Sequence, residues 1–189
     1  MWERIERDTG QDQLPPPFWA FPWAGGQALA RYVLDQPDCV RGRVVLDLAS
    51  GSGLVAIAAA VAGAASVIPS ETDTLAAAAI TLNAGVNRVR LEPTVGDLLS
   101  GPDPGPGPSD AVRADVVLAG DAFYDRGMAG LMLPFLERAS QAGALVLVGD
   151  PGRSYLPKER LAQVATYDVP VERVIEDADV KQTTVWRLR

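Results

Sequence analysis

Short apolar runs alternate along this chain with segments of helical character, and this alternation limits the folds open to it. The strand-like runs are apolar on both faces: Arg43–Leu48, Ser66–Pro69, Val89–Val95, Asp115–Gly120 and Ala144–Gly149. Helices are expected between them, over Gly26–Leu34, Leu54–Ala62, Thr74–Val86 and Leu131–Ala142. Strands buried on both faces and separated by helices predict a parallel sheet covered on each side, which is the doubly wound, Rossmann-like α/β class.

The end of the chain has a different pattern. Gln163–Val171 and Thr183–Arg189 alternate polar and apolar residues with no long helix between them, which predicts an antiparallel pair at the sheet edge. Proline and glycine alternate over Gly101–Pro108, so residues 101–109 are expected to form a flexible surface loop. At 189 residues the whole chain is predicted to be one domain, with residues 1–25 as an N-terminal arm.

The composition excludes several kinds of chemistry. The chain contains no histidine, which rules out Ser-His-Asp hydrolysis and histidine-ligated zinc, and its one cysteine, Cys39, rules out an internal disulfide. We therefore predict no metal site. A formal net charge of −7 argues against nucleic acid as a partner. No signal peptide or membrane-spanning run is apparent, so a cytoplasmic location without membrane association is expected.

A glycine-rich turn follows the first predicted strand and opens a helix, in the run Val44-Val45-Leu46-Asp47-Leu48-Ala49-Ser50-Gly51-Ser52-Gly53. Such a turn brings backbone N–H groups close to a bound nucleotide. Glu71 follows at the end of the next strand, where a carboxylate can accept both hydroxyls of a ribose. The turn also satisfies the dinucleotide fingerprint, so these features alone indicate a nucleotide-type cofactor without naming it.

Asp47 favours one cofactor over the other. A negative charge before the glycines gains nothing from a pyrophosphate, whereas S-adenosylmethionine carries two cationic groups, an α-ammonium and a sulfonium. The alternative is that Asp47 only caps the loop through backbone N–H groups. Asp97, after the third strand, is a candidate contact for the adenine amino group, and a turn cap is the equal alternative.

The fourth predicted strand ends in Ala119-Gly120-Asp121-Ala122-Phe123-Tyr124. Gly120 leaves room for the cofactor, while Asp121 and Tyr124 follow the strand at the place where a transferred methyl group is expected. The alternative interpretation is a turn-initiating aspartate followed by a tyrosine at the rim.

With these residues the chain resembles the seven-stranded lysine methyltransferases that carry an Asp-x-x-Tyr motif, and within them the electron-transfer flavoprotein β-subunit lysine methyltransferases and their bacterial relatives. The resemblance is carried by five stretches in register: Pro17–Leu29, Leu46–Gly53, Gly120–Asp125, Gly149–Arg153 and Thr183–Trp186. Two residues depart from the family's pattern: Ala49 replaces a frequent glycine, and Pro69 interrupts the second strand. Both put cofactor affinity in question.

The resemblance implies roles for single residues. Trp23, the Ala49–Gly53 turn, Glu71 and Gly120 would contact S-adenosylmethionine, and Asp121 with Tyr124 would bind the target lysine. The acceptor would be the electron-transfer flavoprotein β-subunit, with a ribosomal stalk protein as a second possibility. Trp19 is a candidate substrate contact or a residue that packs the arm on the core. Arg153 is a candidate substrate contact or a loop brace.

Three other functions stay open at this stage. A nicotinamide-dependent oxidoreductase shares the glycine turn, although Tyr155 precedes Lys158 by three residues instead of the four typical of short-chain dehydrogenases. A methyltransferase for a small molecule or a nucleic acid is the second, and the acidic composition opposes the nucleic acid. A cofactor-binding protein without catalysis is the third, and the presence of both Asp121 and Tyr124 opposes it.

Overall fold

The computed structural model describes residues 17–100 and 113–189. The predicted loop at 101–109 and residues 1–16 of the predicted arm therefore lie outside the described residues. The helices are α1 Ala24–Asp35, α2 Leu54–Val61, α3 Thr74–Val86, α4 Arg126–Gln141 and α5 Arg173–Glu176. The strands are β1 Val44–Leu48, β2 Ser66–Glu71, β3 Thr94–Val95, β4 Val116–Gly120, β5 Leu145–Asp150, β6 Leu161–Pro170 and β7 Val180–Leu188.

The seven strands of the described chain form one sheet in the order β3-β2-β1-β4-β5-β7-β6. The five strands from β3 to β5 are parallel, and β7 lies antiparallel to both β5 and β6. This order confirms the doubly wound class and the antiparallel C-terminal edge. The strand order reverses between β1 and β4, so their carboxyl ends form the crevice in which such sheets bind ligands.

Alternate residues of the central strands pack into cores on opposite faces of the sheet. On one face, Val45 and Leu118 pack with the buried side of α1 and α2. On the other face, Leu46 and Val117 pack against α4. Each strand is therefore apolar on both sides, which is why the sequence shows continuous apolar runs instead of alternation.

The third strand is much shorter than predicted. The sequence favoured a strand over Val89–Val95, but only Thr94–Val95 pairs with β2. Two prolines explain why β3 is so short. Pro93 directly precedes the strand. In β2, the carbonyl of Ser70 accepts from Ser50 N on the β1 side, and the carbonyl of Glu71 accepts from Gly96 N on the β3 side. Because backbone groups alternate along a strand, Pro69 faces the β3 side, as Glu71 does. The N–H that Pro69 lacks would have extended the β2–β3 ladder.

Helix α1 begins against the carboxyl ends of β4 and β5, at a distance that only glycine permits. A β-carbon on Gly25 would lie 2.2 Å from the carbonyl oxygen of Gly149, and one on Gly120 would lie 2.9 Å from the α-carbon of Gly26. The first turn of α1 is therefore held beside the crevice. In the described part of the chain, none of the helices has the length and apolarity to span a bilayer.

Candidate active site

The glycine turn between β1 and α2 has a left-handed backbone, which glycine adopts readily. Gly51 and Gly53 have φ angles of +57° and +82°, and a side chain on Gly53 would also press against Ile80. Ala49 has a φ of +50°, in a region where a β-carbon is strained. Ala49 therefore adopts the glycine-like conformation at a cost in stability. The turn is tied to β2 by a hydrogen bond from Ser50 N to Ser70 O of 3.1 Å.

Asp47 is buried beneath this turn and braces it. Its Oδ2 accepts from Ser50 Oγ at 2.5 Å and from Ala56 N at 3.0 Å. Burial raises the pKa of Asp47 to about 7, even though both hydrogen bonds favour its ionised form. These two hydrogen bonds are of the kind that the loop-capping alternative expects. The residue also lines a small cavity of about 50 Å³ between the turn and Gly120, so the two roles are compatible.

Glu71 at the end of β2 holds the turn from the other side. Its Oε1 accepts from Gly51 N at 2.7 Å, and its Oε2 accepts from Thr72 N at 3.0 Å. Each carboxylate oxygen can accept a second hydrogen bond, because each has two lone pairs. Glu71 lines the main cavity, so both oxygens can serve the two hydroxyls of a ribose without releasing the turn.

The main cavity lies over the carboxyl ends of β1, β2 and β4 and has a volume of about 510 Å³. This volume lies within the range of small-molecule and cofactor pockets. Most of the residues that sequence analysis singled out line this cavity or the adjoining small one: Trp19, Trp23, Asp47, Ala49, Ser50, Gly51, Glu71, Gly120, Asp121, Tyr124 and Arg153. The structure therefore brings together the predicted cofactor and substrate residues on one surface.

Two of the predicted residues lie apart from this lining. Asp97 is exposed, and its Oδ1 accepts from Leu99 N and Ser100 N at 2.9 and 3.0 Å. Hydrogen bonding by Ser100 lowers the pKa of Asp97, as expected for a carboxylate that caps a turn. Gly53 lies behind the lining, at the N-terminus of α2, and acts through the shape of the turn.

Asp121 follows β4 in a left-handed conformation, with a φ of +53°. Aspartate tolerates this conformation better than most residues. The bend directs its carboxylate back toward α1, where Oδ2 accepts from Gly26 N at 3.0 Å. Gly26 lies in the first turn of α1, whose N–H groups have no partner within the helix. Asp121 thus caps α1 from another part of the chain while it lines the cavity.

Arg153 forms an ion pair with Asp121 that the sequence did not predict. Its Nη2 lies 2.8 Å from Asp121 Oδ1 and 3.0 Å from Glu176 Oε1, and Glu176 Oε2 accepts from Lys181 Nζ at 2.5 Å. Burial raises the pKa of Asp121, and the ion pair offsets this only in part. Burial also opposes ionisation of Glu176, but Lys181 and Arg153 outweigh it and hold the pKa of Glu176 below its ordinary value.

Aromatic side chains form the rim of the cavity. The rings of Phe18 and Tyr124 lie 5.5 Å apart, and those of Phe18 and Trp23 lie 6.1 Å apart. Trp23 Nε1 donates to Phe18 O at 2.7 Å, which holds the beginning of the described chain over the site. Phe123 is fully buried and anchors the turn after β4, so Asp121 points inward while Tyr124 remains 48% exposed at the entrance.

Sequence reasoning missed Glu176, Lys181 and the two α1 glycines, Gly25 and Gly26. Glu176 and Lys181 stand in an ordinary charged segment, and only the fold brings them to Arg153. The glycine pair had a usable signal. Two successive glycines where a helix is predicted to begin lower the stability of that helix, so their presence indicates a close approach of another part of the backbone.

The residues fit S-adenosylmethionine. A carboxylate at the tip of β2 that can accept further hydrogen bonds suits the hydroxyls of a ribose, and the buried acid of β1 suits an ammonium. The glycine turn between them begins helix α2, whose N-terminus favours an anionic group such as the methionine carboxylate.

The comparisons with known proteins agree with this geometry. A model of the ribosomal protein L11 methyltransferase family matches residues 27–120. Two solved structures share the fold with TM-scores of 0.59. A ribosomal protein L11 methylase from Lactobacillus delbrueckii subsp. bulgaricus is 19% identical over 89% of this chain and 81% of that one. Magnesium protoporphyrin IX methyltransferase from Synechocystis PCC 6803, with bound S-adenosylmethionine, is 12% identical over 100% of this chain and 91% of that one.

Fold, site and comparisons define the protein as an S-adenosylmethionine-dependent methyltransferase. The electron transfer flavoprotein β-subunit lysine methyltransferases of Rattus norvegicus and Homo sapiens are each 36% identical to it, over 98% of this chain and 70% and 68% of their own lengths. The chain belongs to this family of protein-lysine methyltransferases.

Proposed function

We propose that this enzyme methylates lysine side chains of the electron-transfer flavoprotein β-subunit, and that Asp121 and Tyr124 receive the acceptor amine. The observation that carries the acceptor is the identity of 36% over 98% of the chain with enzymes named for that substrate. This match extends beyond residue 120, into the part of the chain that carries Asp121, Tyr124 and Arg153. We further propose a cytoplasmic location, which suits a chain with one cysteine.

A ribosomal acceptor has weaker support. The match to the ribosomal protein L11 methyltransferase family spans residues 27–120, which include the glycine turn and Glu71. It ends immediately before Asp121 and covers neither Tyr124 nor Arg153. The match therefore supports the cofactor site, and the proposed acceptor rests on the relatives that match 98% of this chain.

The chemistry requires a neutral amine in line with a methyl group. S-adenosylmethionine supplies a methyl group on a positively charged sulfur. A lysine ammonium, with a pKa near 10.4 in water, has no lone pair for attack until it loses its proton. The ammonium first loses its proton to solvent. A nitrogen–carbon bond would then form as the carbon–sulfur bond breaks, which would leave adenosylhomocysteine and a methylated ammonium.

The residues of this chain orient the amine and exclude water. Asp121 has a carboxylate at the cavity wall that can accept a hydrogen bond from the lysine nitrogen. The Tyr124 ring, packed on Phe18, forms a wall along the lysine side chain, and its hydroxyl can donate or accept one bond. Orientation of this kind contributes about 7–11 kcal/mol in favourable cases.

The test uses the purified enzyme, the purified flavoprotein β-subunit from the same source and labelled S-adenosylmethionine. Mass spectrometry should locate the label on lysine, and Asp121→Asn should reduce its rate at least about tenfold while binding of adenosylhomocysteine persists. Asp115→Asn is the matched control, because Asp115 lies at the opposite end of β4 and accepts from Val44 N. Label on a ribosomal protein, and none on the flavoprotein subunit, would reject the proposed acceptor.

A further inference from the structure

Arg153 lies between two buried carboxylates at the place where a target lysine should arrive. Its Nε and Nη2 both donate to Asp121 Oδ1, at 3.1 and 2.8 Å, and Nη2 also donates to Glu176 Oε1 at 3.0 Å. Lys181 binds the other oxygen of Glu176. The four side chains therefore form a row of alternating charge, Asp121–Arg153–Glu176–Lys181, whose formal charges cancel.

The guanidinium is held in this position from two further directions. The backbone N–H of Arg153 donates to Asp150 Oδ1 at 2.7 Å, which fixes the loop after β5. The guanidinium carbon lies 5.7 Å from the centre of the Trp23 ring, within the range of a cation–π contact. Arg153 is therefore part of the preformed site, and its charge stays next to Asp121.

This balance of charge has a consequence for the acceptor. An unpaired Asp121 would attract the lysine as an ammonium ion and stabilise it in the charged form, which cannot attack a methyl group. With Arg153 in place, the charge of Asp121 is already compensated, and an arriving ammonium meets a second cation close by. Asp121 can still accept a hydrogen bond, so it orients the nitrogen without stabilising its positive charge.

We propose that Arg153 is a positioning residue that neutralises Asp121, so that the acceptor lysine is held as the neutral amine that accepts the methyl group. The proposal rests on the proposed function in one respect, namely that the lysine reaches Asp121. Glu176 opposes Arg153, because it compensates part of the guanidinium charge, and Lys181 in turn compensates Glu176.

Several other titratable groups face this cluster. Tyr124 lies at the rim, Glu71 lies across the cavity, and Asp150 and Asp47 lie beneath it. Burial raises the pKa of Asp150 to about 6 and that of Asp47 to about 7, so both are ionised above about pH 8. The decisive measurements are therefore made from about pH 8 upward, with the cofactor at saturation.

The test is the pH dependence of the single-turnover rate of lysine methylation. In Arg153→Gln the pH at which the rate reaches half its plateau should rise by about one to three units, because a nearby opposite charge shifts an ionisation by this amount. In Glu176→Gln this midpoint pH should fall, because the Arg153 guanidinium loses a counter-ion and its positive charge opposes the lysine ammonium more strongly. Arg153→Lys keeps the charge and should keep the wild-type midpoint, with a lower plateau from its poorer geometry.

A second measurement observes the amine directly. An acceptor with ¹⁵N-labelled lysine Nζ, bound together with adenosylhomocysteine, should lose its proton at a higher pH in Arg153→Gln than in the wild type. Equal midpoints in all variants, or midpoints that move the same way in Arg153→Gln and Glu176→Gln, would overturn the proposal. If circular dichroism shows that Arg153→Gln does not fold, the other two variants test the proposal. The midpoint should then be lower than in the wild type for Glu176→Gln and unchanged for Arg153→Lys, and any other result would overturn the proposal.

The two proposals fail in different ways. If the wild-type enzyme leaves the flavoprotein β-subunit unlabelled at every pH, the acceptor is wrong, and the pH comparison is made on the protein lysine that the enzyme labels in a lysate of its source. If the wild type labels the subunit and the midpoints do not move, the acceptor is right and the role of Arg153 is wrong.

Discussion

Asp47→Asn should stabilise the protein increasingly as the pH rises, while it weakens cofactor binding. The pKa of Asp47 is about 7 in the fold and 3.8 in an exposed chain. The native state therefore retains a proton that the unfolded state has lost, and the stability that this proton contributes is complete below pH 3.8 and is lost as the pH rises through about 7. Asparagine resembles the protonated acid, and its Oδ1 can accept from both Ser50 and Ala56.

The magnitude follows from the two pKa values at about 1.4 kcal/mol per pH unit. The advantage of Asp47→Asn should grow from about 2 kcal/mol near pH 5.5 to an upper limit of about 4 kcal/mol near pH 8. Urea unfolding at these two pH values measures it, and both lie above the sequence pI of about 4.6, where solubility is poorest. The slope of the unfolding free energy against urea concentration should not change.

Calorimetry supplies the other half of this prediction. If the acid at the tip of β1 faces the ammonium of the cofactor, Asp47→Asn should weaken S-adenosylmethionine binding about tenfold or more near pH 8. A stability difference that is the same at both pH values would refute the burial argument. Unchanged cofactor affinity would show that Asp47 only braces the turn.

The other predictions concern backbone and ribose contacts. Ala49→Gly should raise stability by about 0.5–1 kcal/mol in thermal unfolding, because it relieves the left-handed strain at φ +50°, and no gain would mean that Ala49 is unstrained. Gly25→Ala should cost about 3 kcal/mol or more and abolish methylation, since its β-carbon would lie 2.2 Å from Gly149 O, whereas Gly85→Ala meets open space and should be tolerated. Glu71→Gln should weaken adenosylhomocysteine binding about tenfold by calorimetry, and full affinity would remove Glu71 from the ribose site.

Much of the fold was predictable because the signals are local. The apolar runs of β1, β4 and β5 are buried on both faces, and the prediction of a doubly wound sheet with an antiparallel edge is confirmed. The extent of β3 was wrong, because the apolar residues Val89 and Leu91 pack against α2 and α3 instead of continuing the strand. Helix α4 begins at Arg126, five residues before the predicted start, where Asp125 caps it through Met128 N.

The site was predictable where chemistry follows a strand end directly. Glu71 ends β2 and Asp121 directly follows β4, so the parallel sheet alone brings them to one edge. The partners of Asp121 were not predictable, because Gly26 and Arg153 are 95 and 32 residues away in sequence and meet it only through the tertiary fold. The roles assigned to single residues of the site stay predictions.

The most direct test of the account is a crystal structure of the enzyme with adenosylhomocysteine and a lysine-containing segment of its acceptor. We expect the cofactor's ribose on Glu71 and the lysine nitrogen within about 3 Å of an Asp121 oxygen, beside an Arg153 that still pairs with Asp121. A lysine that approaches the sulfur from another side, or a cofactor that leaves Glu71 without a ribose contact, would contradict it.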